Sequence, residues 1–392
     1  MSKQITCPYC FTQFNLREAL FRCNNGRCPG RVPDEVLAAF QGYASAPLLP
    51  PSFEVPGGGG LLGLRRRNAP DEALCPHCQQ ETSKRICPNC HYELMYDVGQ
   101  VNERIVAVVG GRGTGKSNYI ATLVHTLENS VGANFDASVR AMGDGTRRRY
   151  EEDFYTPLYR NHEVIPPTAP AATNVSTRTP MIFRINFQGR RKGAVNLVLF
   201  DTAGEDMQSL DTMSTEARYI CYADALVFLL DPLQIETVRE QLGPNVRLPQ
   251  RDPGAEPVHI VERLLELYAQ QFRMKPDQKI NKPFAFTLSK IDAVLPLMGP
   301  GSGLHHAGEH FGALQAAGIE SIHTEITAVL QSWMGPHFNG LVRDHFSNYR
   351  YFGVSSFGHS PSPENRLEAI APIRVEDPLL WIFHQFGLIK NR

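Results

Sequence analysis

The stretch R-I-V-A-V-V-G-G-R-G-T-G-K-S, residues 104–117, constrains the fold of this chain more than any other part of the sequence. Its apolar part, residues 105–109, predicts a buried strand that leads directly into the pattern G-x-x-x-x-G-K-[ST]. In such a loop, consecutive backbone N–H groups turn inward to bind phosphate oxygens, and glycines permit that backbone shape. Lys116 is placed to reach the β- and γ-phosphates, and the Ser117 hydroxyl is placed to ligate Mg²⁺. The sequence therefore predicts a nucleotide site.

A helix is predicted to follow this loop, roughly over residues 118–127, with its positive dipole end directed at the phosphates. Lys116 is also a predicted catalytic residue, because its charge can stabilise the phosphoryl group during transfer. The residues predicted to contact the phosphates are Gly110, Arg112, Gly113, Thr114, Gly115, Lys116, Ser117 and Asn118.

The composition is that of a globular protein. The chain has 392 residues, of which 42% are hydrophobic and 20% charged, and its formal net charge is −1. These values predict two or three domains and no general attraction to nucleic acid or anionic membranes. No apolar run approaches the ~18 residues of a membrane span, and the first residues, M-S-K-Q-I-T-C, lack the apolar core of a signal peptide. A cytoplasmic location is therefore expected, where cysteines favour metal binding over disulfides.

Eight of the nine cysteines form four closely spaced pairs ahead of the phosphate loop. Residues 1–40 are predicted to form one zinc ribbon and residues 71–98 a second, each with a tetrahedral thiolate site. Residues 41–70 contain prolines, four successive glycines and three successive arginines, and are predicted to be a linker. A mononuclear iron site of rubredoxin type is the alternative to zinc. The predicted ligands are Cys7, Cys10, Cys23 and Cys28 in the first ribbon and Cys75, Cys78, Cys87 and Cys90 in the second.

The motif D-T-A-G-E-D, residues 201–206, follows the nearly continuous apolar run V-N-L-V-L-F. Such a run is typical of a strand in a sheet that is covered on both faces. An acidic residue at the carboxyl end of this strand would lie on the same sheet edge as the phosphate loop. We therefore predict that Asp201 holds the metal ion through water, and that the Gly204 N–H contacts the γ-phosphate.

The motif S-K-I-D, residues 289–292, follows another apolar strand and bears on the choice of base. A carboxylate at Asp292 can accept hydrogen bonds from guanine N1 and N2 together, whereas adenine offers no matching donors. The Lys290 stem can lie along the base and the phosphate loop. In S-S-F-G, after the last predicted strand, a backbone N–H can contact guanine O6. The predicted base-binding residues are Ser289, Lys290, Asp292, Ser355 and Ser356.

Taken together and in this order, G-G-R-G-T-G-K-S, D-T-A-G, S-K-I-D and V-S-S resemble the nucleotide-binding boxes of translation-factor-related and Ras-like GTPases over roughly residues 104–392. With zinc ribbons in front and large insertions, the chain looks similar to the bacterial double-GTPase group of the TRAFAC class. The resemblance implies an α/β fold with a mostly parallel sheet and helices on both faces, preceded by two small zinc ribbons. It implies GTP or GDP, Mg²⁺ and two Zn²⁺ as cofactors. The GTPase domain would span residues 99–392, with insertions near 139–175, 233–256 and 297–349.

The catalytic machinery departs from the pattern of the family. Glu205 stands where Ras-like proteins carry the glutamine that orients the attacking water, and Arg112 stands where they keep a glycine beside the entry of an arginine finger. Arg178 lies in the Pro/Thr-rich stretch 163–180, where a mobile loop is expected, and is the candidate for a finger in cis. Lys116, Glu205 and Arg178 are the predicted catalytic residues. Thr168, Thr173, Thr177 and Thr179 compete as the Mg²⁺-ligating threonine, and Thr168 and Thr177 join Ser117 and Asp201 in the predicted Mg²⁺ site.

Three functions follow as hypotheses from these patterns. The first is a GTPase that hydrolyses GTP with Mg²⁺ and acts as a switch, with zinc ribbons that recognise a protein partner or regulator. The second is a GTP-binding scaffold with little or no hydrolysis. The third is a nucleic-acid-binding protein that uses its ribbons under nucleotide control. The resemblance also implies an association with bacterial conflict and defence systems.

Overall fold

The chain folds into two compact units, Met1–Glu103 and Arg104–Arg392, in a computed structural model. Among the described residues, no helix has both the length and the apolar character needed to cross a bilayer. The structure describes residues 4–55, 70–100, 103–111, 113–166, 179–188, 193–199, 218–244, 246, 248–275, 277–308 and 310–392.

The first unit consists of short antiparallel strand pairs. Strand β3 pairs with both β6 and β9, and the other pairs are β1–β2, β4–β5 and β7–β8. Helix α1 begins after Asp34, whose carboxylate accepts the Leu37 N–H, and ends at Gly42 in the left-handed region. Strands this short bury little apolar surface, so we expect the unit to depend on bound metal for its stability. The elements are β1 (Gln4–Thr6), β2 (Gln13–Asn15), β3 (Leu20–Arg22), β4 (Val32–Pro33), α1 (Glu35–Gln41), β5 (Leu48–Leu49), β6 (Ser52–Phe53), β7 (Ala73–Leu74), β8 (Glu81–Thr82) and β9 (Arg85–Ile86).

The second unit is built on one sheet, in which the described residues form seven strands in the order β11–β12–β13–β10–β14–β15–β16. β11, β12 and β13 pair antiparallel, whereas β10 with β14, β14 with β15, and β15 with β16 pair parallel. The strands are β10 (Glu103–Gly110), β11 (Ala137–Ala141), β12 (Met181–Phe187), β13 (Gly193–Leu199), β14 (Ala225–Leu230), β15 (Phe284–Leu288) and β16 (Tyr349–Gly353).

Ten α-helices surround this sheet in the described part of the second unit. Two π-helical segments, Leu127–Val131 and Tyr150–Arg160, continue α2 and α4. The helices are α2 (Lys116–Thr126), α3 (Gly132–Asn134), α4 (Gly143–Arg149), α5 (Arg218–Tyr222), α6 (Glu236–Gln241), α7 (Pro257–Phe272), α8 (Ile291–Val294), α9 (Ala316–Met334), α10 (Pro336–His345) and α11 (Asp377–Gln385).

The core lies on both sides of the central strands. Every residue of β14 and β15 is buried, which requires cover on both faces of the sheet. On one face, Val106 and Val227 pack with Ile120 of α2 and Phe383 of α11. These findings confirm the predicted α/β fold with a mixed, mostly parallel sheet.

His323 of α9 satisfies a backbone donor on the edge strand β16. Its Nδ1 accepts the Tyr351 N–H at 3.0 Å, and its ring stacks on that of Tyr351. Burial lowers the pKa of His323, the neighbouring Arg350 lowers it further, and Glu320 opposes the shift. The neutral ring is therefore the form that fits this position.

We predict that acid weakens this edge of the sheet. Because the folded-state pKa of His323 is depressed, the unfolded chain binds more protons, and the free energy of unfolding falls as the pH drops below about 6.5. Protonation also removes the acceptor of a buried N–H, a loss of about 1–3 kcal/mol. Urea unfolding from pH 7 to pH 5 measures the effect. His323→Asn, whose amide oxygen can still accept, should flatten the slope, whereas His337→Asn, a change at an exposed side chain of α10, should keep it. Equal slopes in all three proteins would contradict the assignment.

Candidate nucleotide site and metal centres

The parallel strands bring the predicted nucleotide motifs to one edge of the sheet. Gly110, the last residue of β10, stands opposite Leu229 of β14. Leu288, the last residue of β15, stands opposite Leu230 on one side and Gly353 on the other. The carboxyl ends of four strands are therefore level. In open α/β sheets, ligands bind at this edge.

The phosphate loop has the backbone shape that its glycines predict. Gly113 has φ 74° and Gly115 has φ 79°, both in the left-handed region. Thr114 folds back, so that its Oγ1 donates to the Gly111 carbonyl at 2.9 Å. A Cβ on Gly110 would lie 2.6 Å from that same Oγ1. The loop is thus closed on itself and admits no larger residue at Gly110.

Helix α2 begins at Lys116, directly after this loop. Gly115 occupies the N-cap position and has no side chain with which to cap the N–H groups of the first turn. Those N–H groups and the helix dipole form an anion site. Lys116 is only 8% exposed, although its side chain carries a charge. The geometry is that of a site for the phosphates of a nucleotide.

The S-K-I-D motif is held in place by the neighbouring strand. The Ser289 N–H and Oγ–H both donate to the Leu230 carbonyl, at 2.9 and 3.1 Å. Lys290 takes a left-handed conformation with φ 51°, and its Cε lies 3.9 Å from the position of a Cβ on Gly115. The lysine stem therefore lies beside the phosphate loop. The Ser289 side chain has a structural partner, so its part in binding the base is indirect.

Asp231 is a site residue that the sequence analysis did not select. Its carboxylate is 1% exposed and lies 2.7 Å from the Lys290 ammonium. It also accepts the Leu233 N–H at 2.9 Å. Asp231 therefore fixes both the turn after β14 and the direction of the Lys290 side chain. The signal that could have identified it is its position, one residue beyond an apolar strand at the ligand edge.

Asp292 and Ser355 come together although 63 residues separate them. The Ser355 hydroxyl donates to Asp292 Oδ1 at 2.5 Å, and accepts the Gly358 N–H at 2.8 Å. The hydrogen bond from Ser355 holds one oxygen of the Asp292 carboxylate in place. The Ser355 N–H already donates to the Ile373 carbonyl. The backbone N–H that is predicted to contact guanine O6 is therefore that of Ser356, and this contact stays a prediction.

Asn118, a predicted phosphate-binding residue, has a contact that the motif does not explain. Its side-chain oxygen accepts the Ile165 N–H at 3.0 Å. Ile165 precedes the segment in which the switch threonine is predicted. The first turn of α2 is therefore tied by a side chain to the start of that segment.

The eight N-terminal cysteines form two tetrathiolate clusters. The outer cluster consists of Cys7, Cys10, Cys87 and Cys90, and the inner cluster consists of Cys23, Cys28, Cys75 and Cys78. The prediction that each cluster comes from one continuous ribbon, 1–40 or 71–98, is therefore wrong in its grouping, although the ligands are those predicted. The reason is strand pairing. β3 pairs with β9, in the register Leu20 to Ile86, which places Cys23 and Cys87 at the two ends of one ladder.

The sulfur positions fit a tetrahedral thiolate centre. The Sγ–Sγ distances are 3.8 Å for Cys7–Cys90 and 3.7 Å for Cys10–Cys87. They are 3.5 Å for Cys23–Cys78 and 3.8 Å for Cys28–Cys75. With Zn–S bonds of about 2.3 Å, tetrahedral geometry requires about 3.8 Å, whereas a disulfide requires about 2.05 Å. Four buried thiolates at these distances repel one another, so they need a cation between them. The residues therefore fit Zn²⁺.

Three of the four cysteine pairs share the same local fold. In each C-x-x-C pair, the residue after the second cysteine is left-handed, as at Phe11, Gln79 and His91. Its N–H donates to the carbonyl of the first cysteine, at 2.9 to 3.0 Å. This knuckle directs both sulfurs to one side, which is what a metal site requires. His91 belongs to neither cluster of four, and its Nδ1 lies 2.8 Å from Asp34 Oδ1.

A family model described as Double-GTPase 2 matches residues 104–334, more than half of the chain. The chain belongs to the Double-GTPase 2 family. This confirms the resemblance that the four motifs indicated, and makes the chain a GTP-binding protein by family. The match begins at the residue where the second compact unit begins.

Proteins similar to this Double-GTPase 2 member include a Mycolicibacterium smegmatis protein with the provisional name ESX-1 scaffolding and assembly protein SaeC. It is 31% identical over 411 aligned residues, which cover 98% of this chain and 99% of the relative. Among solved structures, the chain is similar to the small GTPase Arl6 of Trypanosoma brucei, with 14% identity, 73% of this chain and 98% of that chain covered, and a TM-score of 0.30. It is also similar to the GTPase-like domain of Saccharomyces cerevisiae Ski7, with 11% identity, 73% and 51% covered, and a TM-score of 0.34.

Part of the predicted site of this Double-GTPase 2 member lies outside the described residues. The roles of these residues stay predictions. Two of them, Arg178 and Glu205, are the predicted catalytic residues other than Lys116. The full set is Arg112, Thr168, Thr177, Arg178, Asp201, Gly204 and Glu205.

Proposed function

We propose that this protein is a Mg²⁺-dependent GTPase switch. The observation that carries the proposal is the convergence of the phosphate loop, Lys290 and the Asp292–Ser355 pair on one sheet edge. A carboxylate directed into a base site selects guanine by accepting two N–H donors at once. The closed loop and the start of α2 supply the phosphate site.

Phosphoryl transfer to water requires positioning and charge stabilisation. In this proposal Lys116 would neutralise charge on the β- and γ-phosphates, and Ser117 and Asp201 would hold Mg²⁺, Asp201 through water. Thr168 or Thr177 would be a further residue that holds the ion. Glu205 positions the attacking water and Arg178 acts as a finger in cis. Mg²⁺ supplies charge neutralisation when it is bound.

The N-terminal unit is proposed to hold two Zn²⁺ and to bind a protein partner. The β4–α1–β5 segment exposes four large apolar side chains, at 40% to 53% of their surface: Val32, Val36, Tyr43 and Leu48. Exposed apolar groups suit a protein partner better than a phosphate backbone. The name of SaeC, a scaffolding and assembly protein, points the same way.

Nucleotide titration of the full-length protein with Mg²⁺ tests this function. We expect GTP and GDP to bind at least about a hundred-fold more tightly than ATP, because ATP lacks the donors that Asp292 accepts and leaves that carboxylate unpaired. Phosphate release under multiple turnover measures hydrolysis. Lys116→Ala should abolish it, while Lys275→Ala, an exposed lysine, should not. A preference for ATP would refute the proposal.

A GTP-binding scaffold with little hydrolysis is the second candidate, and the scaffolding name of the relative favours it. GTP binding without release of phosphate above the Lys116→Ala background, with candidate partners present, would establish it. Affinity for RNA or DNA that falls steeply with salt would instead support the nucleic-acid hypothesis. The link to conflict and defence systems stays a prediction.

A further inference from the structure

A hairpin follows the last strand of the sheet and is part of neither the phosphate loop nor the S-K-I-D motif. We define the C-terminal hairpin as residues 355–373. Its ends are closed by two hydrogen bonds between Ser355 and Ile373, at 3.0 and 2.8 Å, and its next pair is Ala371 N–H to the Phe357 carbonyl, at 3.0 Å. A Cβ on Gly358 would lie 2.3 Å from the Ala371 carbonyl oxygen, so the two arms are in close backbone contact.

The closed end of the hairpin is attached to the base site. The Ser355 hydroxyl donates to Asp292 and accepts the Gly358 N–H. One hydroxyl group therefore joins the predicted guanine-binding carboxylate to the first turn of the hairpin. A base that fixes Asp292 would also fix Ser355.

The tip of the hairpin docks on residues 162–165, which we call the root segment. The Val164 N–H donates to the Asn365 carbonyl and the Leu367 N–H donates to the His162 carbonyl, both at 2.9 Å. Leu367 is 4% exposed and Ile165 8% exposed, and both belong to the main core. The contact is thus an isolated antiparallel bridge between Glu163 and Arg366 flanked by buried apolar side chains, in addition to the exposed ion pair of those two residues.

The root segment in turn reaches the phosphate site. The Ile165 N–H donates to Asn118, which follows Lys116 and Ser117 on α2. A continuous set of contacts therefore runs from Asp292 through Ser355 and the hairpin to the root segment, and back to the phosphate loop.

We propose that the C-terminal hairpin couples guanine binding to the root segment. This rests on the proposed function, because it requires a guanine nucleotide in the site. When guanine is bound to Asp292, the carboxylate holds Ser355 and the closed end of the hairpin in place, and the tip stays docked on Val164. When the base site is empty, these contacts loosen. The hairpin is thus a positioning element for the segment that leads toward the predicted switch threonines.

Asn365 offers a matched pair of variants at the exposed tip of the hairpin. Its φ is 59°, in the left-handed region that glycine tolerates and β-branched residues avoid. Asn365→Gly should leave the tip docked. Asn365→Val should increase tip opening by about five- to thirty-fold. Because residue 365 is on the surface, neither change threatens the core.

Hydrogen exchange of the full-length protein, followed on peptides 160–166 and 362–368 with and without saturating GDP, tests the coupling. In the wild type and Asn365→Gly, GDP should slow exchange in both peptides. In Asn365→Val, exchange should be faster, and by reciprocity GDP should bind about five-fold more weakly or worse. If GDP binds but leaves both peptides unchanged, or if the two variants behave alike, the coupling is refuted while the GTP-binding function stands. If no guanine nucleotide binds, the proposed function falls, and the coupling with it.

Discussion

Replacement of Cys23 by serine is expected to remove metal from both cysteine clusters, not only from its own. The clusters are nested along the chain. The inner one joins Cys28 to Cys75, 47 residues apart, and the outer one joins Cys10 to Cys87, 77 residues apart. Once the inner cluster forms, the outer one has only two short arms left to close, which saves about 1 kcal/mol of loop entropy. The β3–β9 ladder between the clusters adds to this coupling.

The expected readout is the zinc content per chain after dialysis against a chelator that leaves the wild type with two ions. The variant should keep close to none, because without the inner ion the ladder and the short arms that bring the outer cysteines together are no longer held in place. Cys221→Ser is the control, since Cys221 belongs to neither cluster and should leave both ions in place. One ion retained at wild-type affinity in Cys23→Ser would show that the clusters are independent.

A fourfold variant, in which Cys7, Cys10, Cys87 and Cys90 are changed to serine, decides the grouping itself. With the grouping seen in the structure, this variant keeps all four cysteines of the inner cluster. One Co²⁺ should therefore bind with the absorption of a tetrahedral thiolate site. If each ribbon supplied its own four ligands, both sites would keep only two cysteines, and no such absorption would develop.

Asp292→Asn is expected to weaken GTP binding by about a hundred-fold, or about 2.7 kcal/mol. In the proposed site the carboxylate would accept two donors from guanine, and hydrogen bonds to a charged group contribute about 1.5–3 kcal/mol each. The amide replaces one acceptor with a donor, which then faces the guanine amino group. Xanthine carries an oxygen at that place, so the same variant should gain affinity for xanthosine triphosphate.

Calorimetric titration with GTP, xanthosine triphosphate and ATP measures these changes in affinity. Asp277→Asn makes the same chemical change at an exposed position and should bind GTP like the wild type. Because the Ser355 hydroxyl donates to Asp292 Oδ1, Ser355→Ala should weaken GTP binding too, but without a gain for xanthosine triphosphate. Unchanged GTP affinity in Asp292→Asn would remove Asp292 from the base site.

The parts of the site that the sequence predicts are those in which neighbours along the chain act together. The strand, glycine turn and helix around Lys116 form a local unit, and so does each C-x-x-C knuckle. The S-K-I-D motif is likewise a local unit, and its Lys290 lies beside the phosphate loop. The fold class follows from the same patterns, because continuous apolar runs between such motifs predict a covered parallel sheet.

The contacts that the sequence did not reveal join residues that are far apart along the chain. Asp231 contacts Lys290, 59 residues later, and Asn118 contacts Ile165, 47 residues later. No local pattern marks either pair. The predicted grouping of the cysteines was wrong for the same reason, because four similar cysteine pairs can combine into two clusters in more than one way.

The sequence by itself determined the glycine-rich loop ahead of Lys116, the S-K-I-D turn after a strand and the closely spaced cysteine pairs, because each depends on backbone geometry over a few residues. The tertiary structure alone decided that the cysteine clusters are nested, that Ser355 donates to Asp292, and that a hairpin joins Ser355 to the root segment. The physical reason is that strand register selects which distant residues meet. Many pairings satisfy the local patterns equally well, and only the pairing that also buries the core is formed.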